Sequence, residues 1–200
     1  MDIPVYLIAG FLDSGKTNFI NGGLEDGFAR EDRTLLICCE EGEEEYYPNV
    51  LSNVFTTKVE DEDELTVDFF KKLEKMYKPK QIIIEYNGMW NIEKLYQELL
   101  PANWILYQIM TLVDARTFEM YAKNMGQLMM EKIMNADMLI FNRCNEELRA
   151  KLRSRNLRMV NRRGDIYLEN EDGTSEEYVT EDMAPFDLSS GHLDVPDEDY

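Results

Sequence analysis

Basic residues are scarce: 21 Lys and Arg stand against 40 Asp and Glu in 200 residues, a formal net charge of -19. So acidic a chain lacks the basic face that general binding to nucleic acid or to an anionic membrane requires, and any polyanionic ligand must be held locally. Long apolar runs are missing too. No uninterrupted stretch reaches the ~18 residues of a spanning helix, and the opening MDIPVYLIAG has neither a basic start nor the apolar length of a secretion signal. No membrane insertion and a cytoplasmic setting are therefore expected. Cysteine is limited to the adjacent Cys38 and Cys39 and the distant Cys144, which excludes a disulfide framework and fits a reducing compartment. There is no internal repeat. Hydrophobic residues, by contrast, are present at an ordinary 44%, enough for a folded core. At ~100–200 residues per domain, the length allows one α/β domain with a short appendage.

The charge is unevenly spread. Residues 170–200 carry eleven acids and no Lys or Arg, whereas Arg143–Arg163 holds eight bases and two acids. Glu40–Glu45 places five carboxylates in six positions. Short, near-continuous apolar runs at Val5–Ala9, Leu35–Cys38, Ile82–Ile84, Ile105–Val113 and Met138–Phe141 suit strands buried on both faces. Between them, helical spacing marks Thr17–Phe28, Glu64–Tyr77, Ile92–Leu100, Thr117–Ile133 and Glu146–Arg155, and Lys78-Pro79 stops the second of these. This alternation predicts an α/β fold, a mostly parallel sheet with helices on both faces. Asp172-Gly173 predicts a hairpin turn between Asp165–Glu169 and Glu177–Val179. Two regions are thus expected: an α/β domain over 1–169, and an acidic hairpin and tail, or a linker to a missing C-terminal region, over 170–200.

Gly10-Phe11-Leu12-Asp13-Ser14-Gly15-Lys16-Thr17 satisfies G-x-x-x-x-G-K-[ST], directly after the first strand and opening a helix, the context of a P-loop phosphate cradle. Curled backbone N–H groups and the helix start would face phosphate oxygens. Lys16 is expected on the β/γ-phosphates, the Thr17 hydroxyl on Mg²⁺, and Asn18 beside them. Asp13 is unusual, because a carboxylate in such a loop must point away or serve catalysis. Gln81–Gly88 is a strand ending in Glu85, with Gly88 three residues on; Glu85 is expected to hold Mg²⁺ directly or through water, and the Gly88 amide to meet the γ-phosphate. Finally Asn142-Arg143-Cys144-Asn145 stands where N-K-x-D would read guanine. There Asn145 presents a mixed donor and acceptor instead of a carboxylate, so weak discrimination between GTP and ATP is expected.

With these motifs in this order, residues 1–169 resemble the CobW-type GTPases, relatives of the urease and hydrogenase maturation GTPases. The family pattern G-F-L-x-x-G-K-T, E-x-x-G, V-D-A and N-K-x-D is matched by Gly10–Thr17, Glu85–Gly88, Val113-Asp114-Ala115 and Asn142–Asn145. Val160–Ile166 resembles the family's base-side loop and following strand. Glu40-Glu41-Gly42-Glu43 resembles its E-x-G-E switch segment, which makes Glu40, with Lys16 and Glu85, a catalytic candidate that senses the γ-phosphate. The resemblance implies a P-loop domain that binds GTP or another purine triphosphate with Mg²⁺. It further implies slow hydrolysis coupled to metal allocation or metallocofactor assembly, with a metalloenzyme or transporter as client.

Three departures qualify it. The C-x-C-C metal motif is absent, Asn145 replaces the base-reading acid, and the family's C-terminal domain has no counterpart. Cys38 and Cys39 are candidates for Zn²⁺ or Co²⁺, but adjacent cysteines do not easily ligate one ion, and packing is the plainer role. Met125, Met129, Met130 and Met134 have near-helical spacing that suits a core or a homodimer face. Trp90 and Trp104 suit packing or a pocket edge, and Arg149–Arg163 a solvated helix pairing with the acidic tail, or a hold on nucleotide phosphates or a partner. Two other activities use the same loop: a non-hydrolytic, nucleotide-responsive interaction module, and a small-molecule P-loop kinase, the latter without an evident Arg-rich lid.

Overall fold

The computed structural model describes residues 2–40 and 52–179. Strand β1 (Ile3–Ala9) leads through the glycine-rich loop into helix α1 (Lys16–Glu25), followed by β2 (Thr34–Cys38) and β3 (Val54–Lys58). Helix α2 (Val67–Tyr77) precedes β4 (Gln81–Glu85). A short turn α3 (Ile92–Lys94) runs on as a π-helical turn over Leu95–Leu99 and returns to the long strand β5 (Trp104–Asp114). Helices α4 (Phe118–Asn124) and α5 (Gly126–Asn135), strand β6 (Met138–Cys144), helix α6 (Glu146–Ser154) and the hairpin β7 (Asp165–Asn170) and β8 (Ser175–Glu177) complete the described chain. The strands form one sheet in the order β3-β2-β4-β1-β5-β6-β7-β8, parallel throughout except for the last pair.

The apolar strands are covered on both faces, as their unbroken hydrophobicity requires. Val5, Leu7, Ile82 and Ile84 pack with Phe70 and Leu73 of α2, whereas Ile8, Leu36 and Ile83 pack with Ile20 and Leu24 of α1. A further core under α5 and α6 joins Met129, Ile133, Phe141 and Leu152. Helix α2 begins at a Thr66 cap whose hydroxyl accepts from the Phe69 amide, and ends at Lys78 in the left-handed conformation before Pro79.

Two local features depart from the sequence expectation. Strand β3 was not anticipated, because Val-Phe-Thr-Thr-Lys is short and buries only Val54 at the sheet edge. The helix expected over Thr117–Ile133 breaks at Met125, whose φ of -135° interrupts it just before Gly126, a residue that weakens helix interiors. The hairpin turn forms as expected, with Gly173 at φ 81°. It also joins the core, since Tyr178 is buried against Leu152 and Leu157. Arg149 and Arg153 of α6 face Glu176 on β8, at 3.8 and 2.7 Å. The tail from residue 180 onward, with His192, lies outside the described residues.

Gly22 and Gly23 sit in mid-helix in α1, and a Cβ on either would meet nothing within 4 Å. Gly22→Ala and Gly23→Ala are each expected to add about 0.5–1 kcal/mol, read as a higher denaturant midpoint at unchanged slope. A lower midpoint would contradict α1 as described.

Candidate functional site

The loop between β1 and α1 curls through three left-handed positions, Gly10 at φ 146°, Asp13 at 59° and Gly15 at 89°. Gly15 is the N-cap of α1 and supplies no side-chain cap, so the first helical amides stay open to an anion. Two glycines are required by close approach. A Cβ on Gly10 would lie 2.4 Å from the Leu112 carbonyl oxygen, and one on Gly88 would lie 2.6 Å from both the Gly10 carbonyl oxygen and the Phe11 Cα. The E-x-x-G segment is thus packed directly on the floor of the loop. Asp13 is exposed, which resolves the oddity of a carboxylate in this loop: its side chain stands on the surface and only its carbonyl takes part, accepting from Arg143 Nη1 at 2.8 Å.

Lys16 is 2% exposed. Its ammonium donates to the carbonyls of Gly10 and Phe11 at 3.0 and 2.9 Å and pairs with Glu40 Oε2 at 2.5 Å. The lysine therefore closes the loop on itself. Thr17 Oγ1 donates to Glu85 Oε1 at 2.9 Å, and Glu85 is buried at the end of β4, where the parallel register sets it beside Ile8 and Cys38. A hydroxyl and a carboxylate converging next to a phosphate cradle form an all-oxygen donor pair suited to Mg²⁺. Of the segment Glu40–Glu43, only Glu40 lies within the described residues.

On the other flank, Asn142 Nδ2 donates to the Ser14 carbonyl at 2.7 Å. That carbonyl needs a donor, so the amide orientation is fixed and the side-chain oxygen of Asn142 faces away from the loop. Neither this buried oxygen nor the buried Ser14 hydroxyl has a hydrogen-bond partner among the described residues. Orphaned buried polar atoms are costly, and the Ser14 hydroxyl, inside the loop, is a donor that a phosphate oxygen would satisfy. Arg143, left-handed at φ 54°, donates to Asp114 Oδ2 at 2.7 Å. Burial would raise the Asp114 pKa, but hydrogen bonds from Arg116 and Arg143 outweigh it and hold the carboxyl below its ordinary range.

Asn145 behaves differently from the sequence expectation. Its side-chain oxygen accepts from the Leu148 amide at 2.9 Å as the N-cap of α6, and the side chain is exposed. Residues 160–166, expected beside the base, begin β7 and so lie at the end of the parallel sheet opposite the loop. Asn161 is buried there, donating to the carbonyls of Ile133 and Ala136 and accepting from the Arg163 and Gly164 amides. The element that does flank the loop is the far end of the same strand: a cavity of about 230 Å³ is lined by Gly15, Asn18, Asn142, Arg143 and Glu169, with the β7–β8 turn at its edge.

Cys38 and Cys39 are both buried but belong to cores on opposite faces of the sheet, as neighbouring strand positions must. Burial pushes the Cys39 thiol far up, with Cys38 and nearby carboxylates adding to it, and Cys144 is pushed up to about 11. Among the described residues no three His, Cys, Asp or Glu gather into a metal-holding group. The Cys38→Ser/Cys39→Ser variant is expected to lose stability with no change in Zn²⁺ or Co²⁺ stoichiometry; a Co²⁺–thiolate absorption band present in the wild type and lost in the variant would contradict the packing role. Of the methionines, Met129 is buried and Met134 exposed. Trp104 is a packing residue, tied by its indole N–H to Glu74 at 2.9 Å.

Sequence reasoning missed Lys132. It is 1% exposed, donates to the Trp90 carbonyl at 3.3 Å and lies 5.6 Å from the centre of the Phe11 ring, with its pKa lowered by burial. Its place on the buried side of α5, between Met129 and Ile133, was the available signal. No helix among the described residues is long and apolar enough to cross a membrane.

The model of the CobW/HypB/UreG nucleotide-binding domain matches residues 4–167. No curated protein sequence matches the chain. Among solved structures, the Zn(II)-bound YjiA GTPase from E. coli is similar with a TM-score of 0.61 and 21% identity, over 86% of this chain and 58% of that one. The chain thus spans less than two thirds of YjiA. The hydrogenase maturation factor HypB from Archaeoglobus fulgidus is similar with a TM-score of 0.58 and 16% identity, over 86% of this chain and 82% of that one. FlhF complexed with GMPPNP/Mg(2+) follows at 0.51 and 10% identity, over 89% and 71%. At these identities the likeness is one of fold, that of the P-loop GTPases.

Proposed function

The chain belongs to the CobW/HypB/UreG family through its nucleotide-binding domain, and from that premise we propose that it is a slow, Mg²⁺-dependent GTPase whose nucleotide state drives metal allocation or metallocofactor assembly. The observation that carries the reading is the cradle of Gly10–Thr17, whose buried Ser14 hydroxyl has no hydrogen-bond partner among the described residues, flanked by the Thr17–Glu85 oxygen pair. Phosphoryl transfer needs positioning and charge neutralisation more than covalent chemistry. The loop amides and Lys16 supply both for the β- and γ-phosphates. Thr17 and Glu85 would hold Mg²⁺, which neutralises phosphate charge when bound. Gly88, against the loop floor, keeps its own segment close to the phosphates.

The ion pair between Lys16 and Glu40 gives the nucleotide something to change. Phosphate competes with Glu40 for the same ammonium, so binding removes Glu40's counter-charge, and a ligand shifts an equilibrium by such differential contacts. The family supports the metal-related role, as does YjiA having been seen with Zn(II). A metalloenzyme or transporter client, a homodimer and a cytoplasmic setting belong to the same proposal.

Phosphate release from GTP with and without Mg²⁺ tests it. Slow release that needs Mg²⁺ and falls at least tenfold in Glu85→Gln is expected. Tight binding without release would instead indicate the non-hydrolytic interaction module, and release only with an added acceptor a kinase.

A further inference from the structure

We propose that Glu169, at the end of β7, reads the base of the bound nucleotide by accepting from the N1–H and 2-amino groups of guanine, the task that the sequence pattern places on Asn145. The inference rests on the reading of Gly10–Thr17 as a nucleotide site and deepens it.

The position follows from register. Leu112, Ile140 and Tyr167 are aligned across β5, β6 and β7. The strand alternation puts Glu169 on the same face as Tyr167, opposite Ile166 and Leu168, which are buried in the core under α5 and α6. That face is the α1 side, where Leu112 and Ile140 floor the 230 Å³ cavity beside Gly15 and Asn18. The Glu169 carboxylate is half-buried. Burial raises its pKa, against the pull of the Arg143 charge. Asn142, 7% exposed, lines the same cavity between Gly15 and Glu169.

The chemistry selects the ligand. The two oxygens of the Glu169 carboxylate, with no donor between them, call for a base edge rich in donors. Guanine offers adjacent N1–H and 2-amino donors, which a carboxylate takes together. Adenine puts its N1 acceptor next to its amino group, and a carboxylate there would be repelled. Asn145 suits this work poorly: its oxygen already caps α6, and its NH₂ would face guanine's donors. A site built to accept hydrogen bonds rejects the wrong partner strongly because its own groups are then left unpaired.

The test is competition binding of GTP, ATP and XTP, each with Mg²⁺, to wild type, Glu169→Gln and Asn145→Ala. The wild type is expected to prefer GTP to ATP by at least about tenfold. Glu169→Gln should weaken GTP by about ten- to a hundredfold, leave ATP within about twofold, and strengthen XTP, whose 2-oxo group accepts from the new amide. Asn145→Ala should leave the GTP/ATP ratio unchanged. A thermal melt without nucleotide guards against misfolding: removing a charge held in a half-buried place should leave Glu169→Gln melting no lower than wild type. Equal GTP affinity in wild type and Glu169→Gln, with triphosphate binding intact, would overturn the assignment of Glu169 and leave the nucleotide site standing. Failure of the wild type to bind any triphosphate would overturn both.

Discussion

Replacing Lys16 by Ala is expected to weaken binding of Mg²⁺–GTP by about ten- to a hundredfold, the loss of one charge-assisted contact to phosphate worth roughly 1.5–3 kcal/mol. The structure adds a second consequence. Lys16 neutralises Glu40 and donates to the carbonyls of Gly10 and Phe11, so Lys16→Ala also strands a carboxylate that is only 10% exposed. Breaking a buried pair from one side costs about 3–5 kcal/mol, and the variant should therefore melt lower. Lys16→Ala/Glu40→Gln separates the effects: the paired change should recover most of the stability and none of the affinity. Glu40→Gln alone should bind triphosphate somewhat more tightly, because the phosphates no longer compete for the ammonium. Calorimetry on the four proteins reads all of this, and equal affinity in wild type and Lys16→Ala would remove the lysine from the site.

Gly88→Ala is the second large effect. The added methyl would sit 2.6 Å from the Gly10 carbonyl oxygen and the Phe11 Cα, both backbone atoms that cannot rotate away. Either the loop floor or the segment after β4 must shift by several tenths of an ångström. A misplacement approaching 1 Å in a positioned site is enough to cost about a hundredfold in rate, so hydrolysis is expected to fall by tenfold to a hundredfold. Gly22→Ala is the control, since the same methyl meets open space there. Activity unchanged in Gly88→Ala would mean that the two segments are not held together during turnover.

The parts of this arrangement that were legible in the sequence are those encoded by neighbours along the chain. Gly10–Thr17 carries its strand, turn and helix start within a dozen residues, and Glu85–Gly88 ends an unmistakable buried strand. The hairpin turn at Asp172-Gly173 was legible for the same reason. What was not legible depends on register between distant strands. Glu169 is one of many acids in its region, and only the alignment of β5, β6 and β7 shows that it faces the cavity rather than the core. The family resemblance puts residues 160–166 on the base side; a parallel strand puts its start and its finish at opposite ends of the sheet, and the finish of β7 is the one at the loop. Asn145 was weighed as a base reader because of its position in N-R-C-N, yet the first amides of α6 need a cap, and its oxygen meets that need. Lys132 went unnoticed because a single lysine in a helix is normally solvated; here its stem is covered by the core under α5 and its ammonium reaches the Trp90 carbonyl. Cys38 and Cys39 show the converse, since their adjacency already argued against joint ligation of one ion, and the structure buries them in two different cores.

The central claim is that Gly10–Thr17 with Thr17 and Glu85 forms one site for a triphosphate and its metal. Calorimetric titration of the protein with a non-hydrolysable GTP analogue, with and without Mg²⁺, addresses it most directly. One molecule should bind per chain, with affinity at least tenfold higher in Mg²⁺, and Thr17→Ala should abolish most of that Mg²⁺ dependence while retaining metal-free binding. An affinity indifferent to Mg²⁺ in the wild type, or no binding at all, would contradict the account.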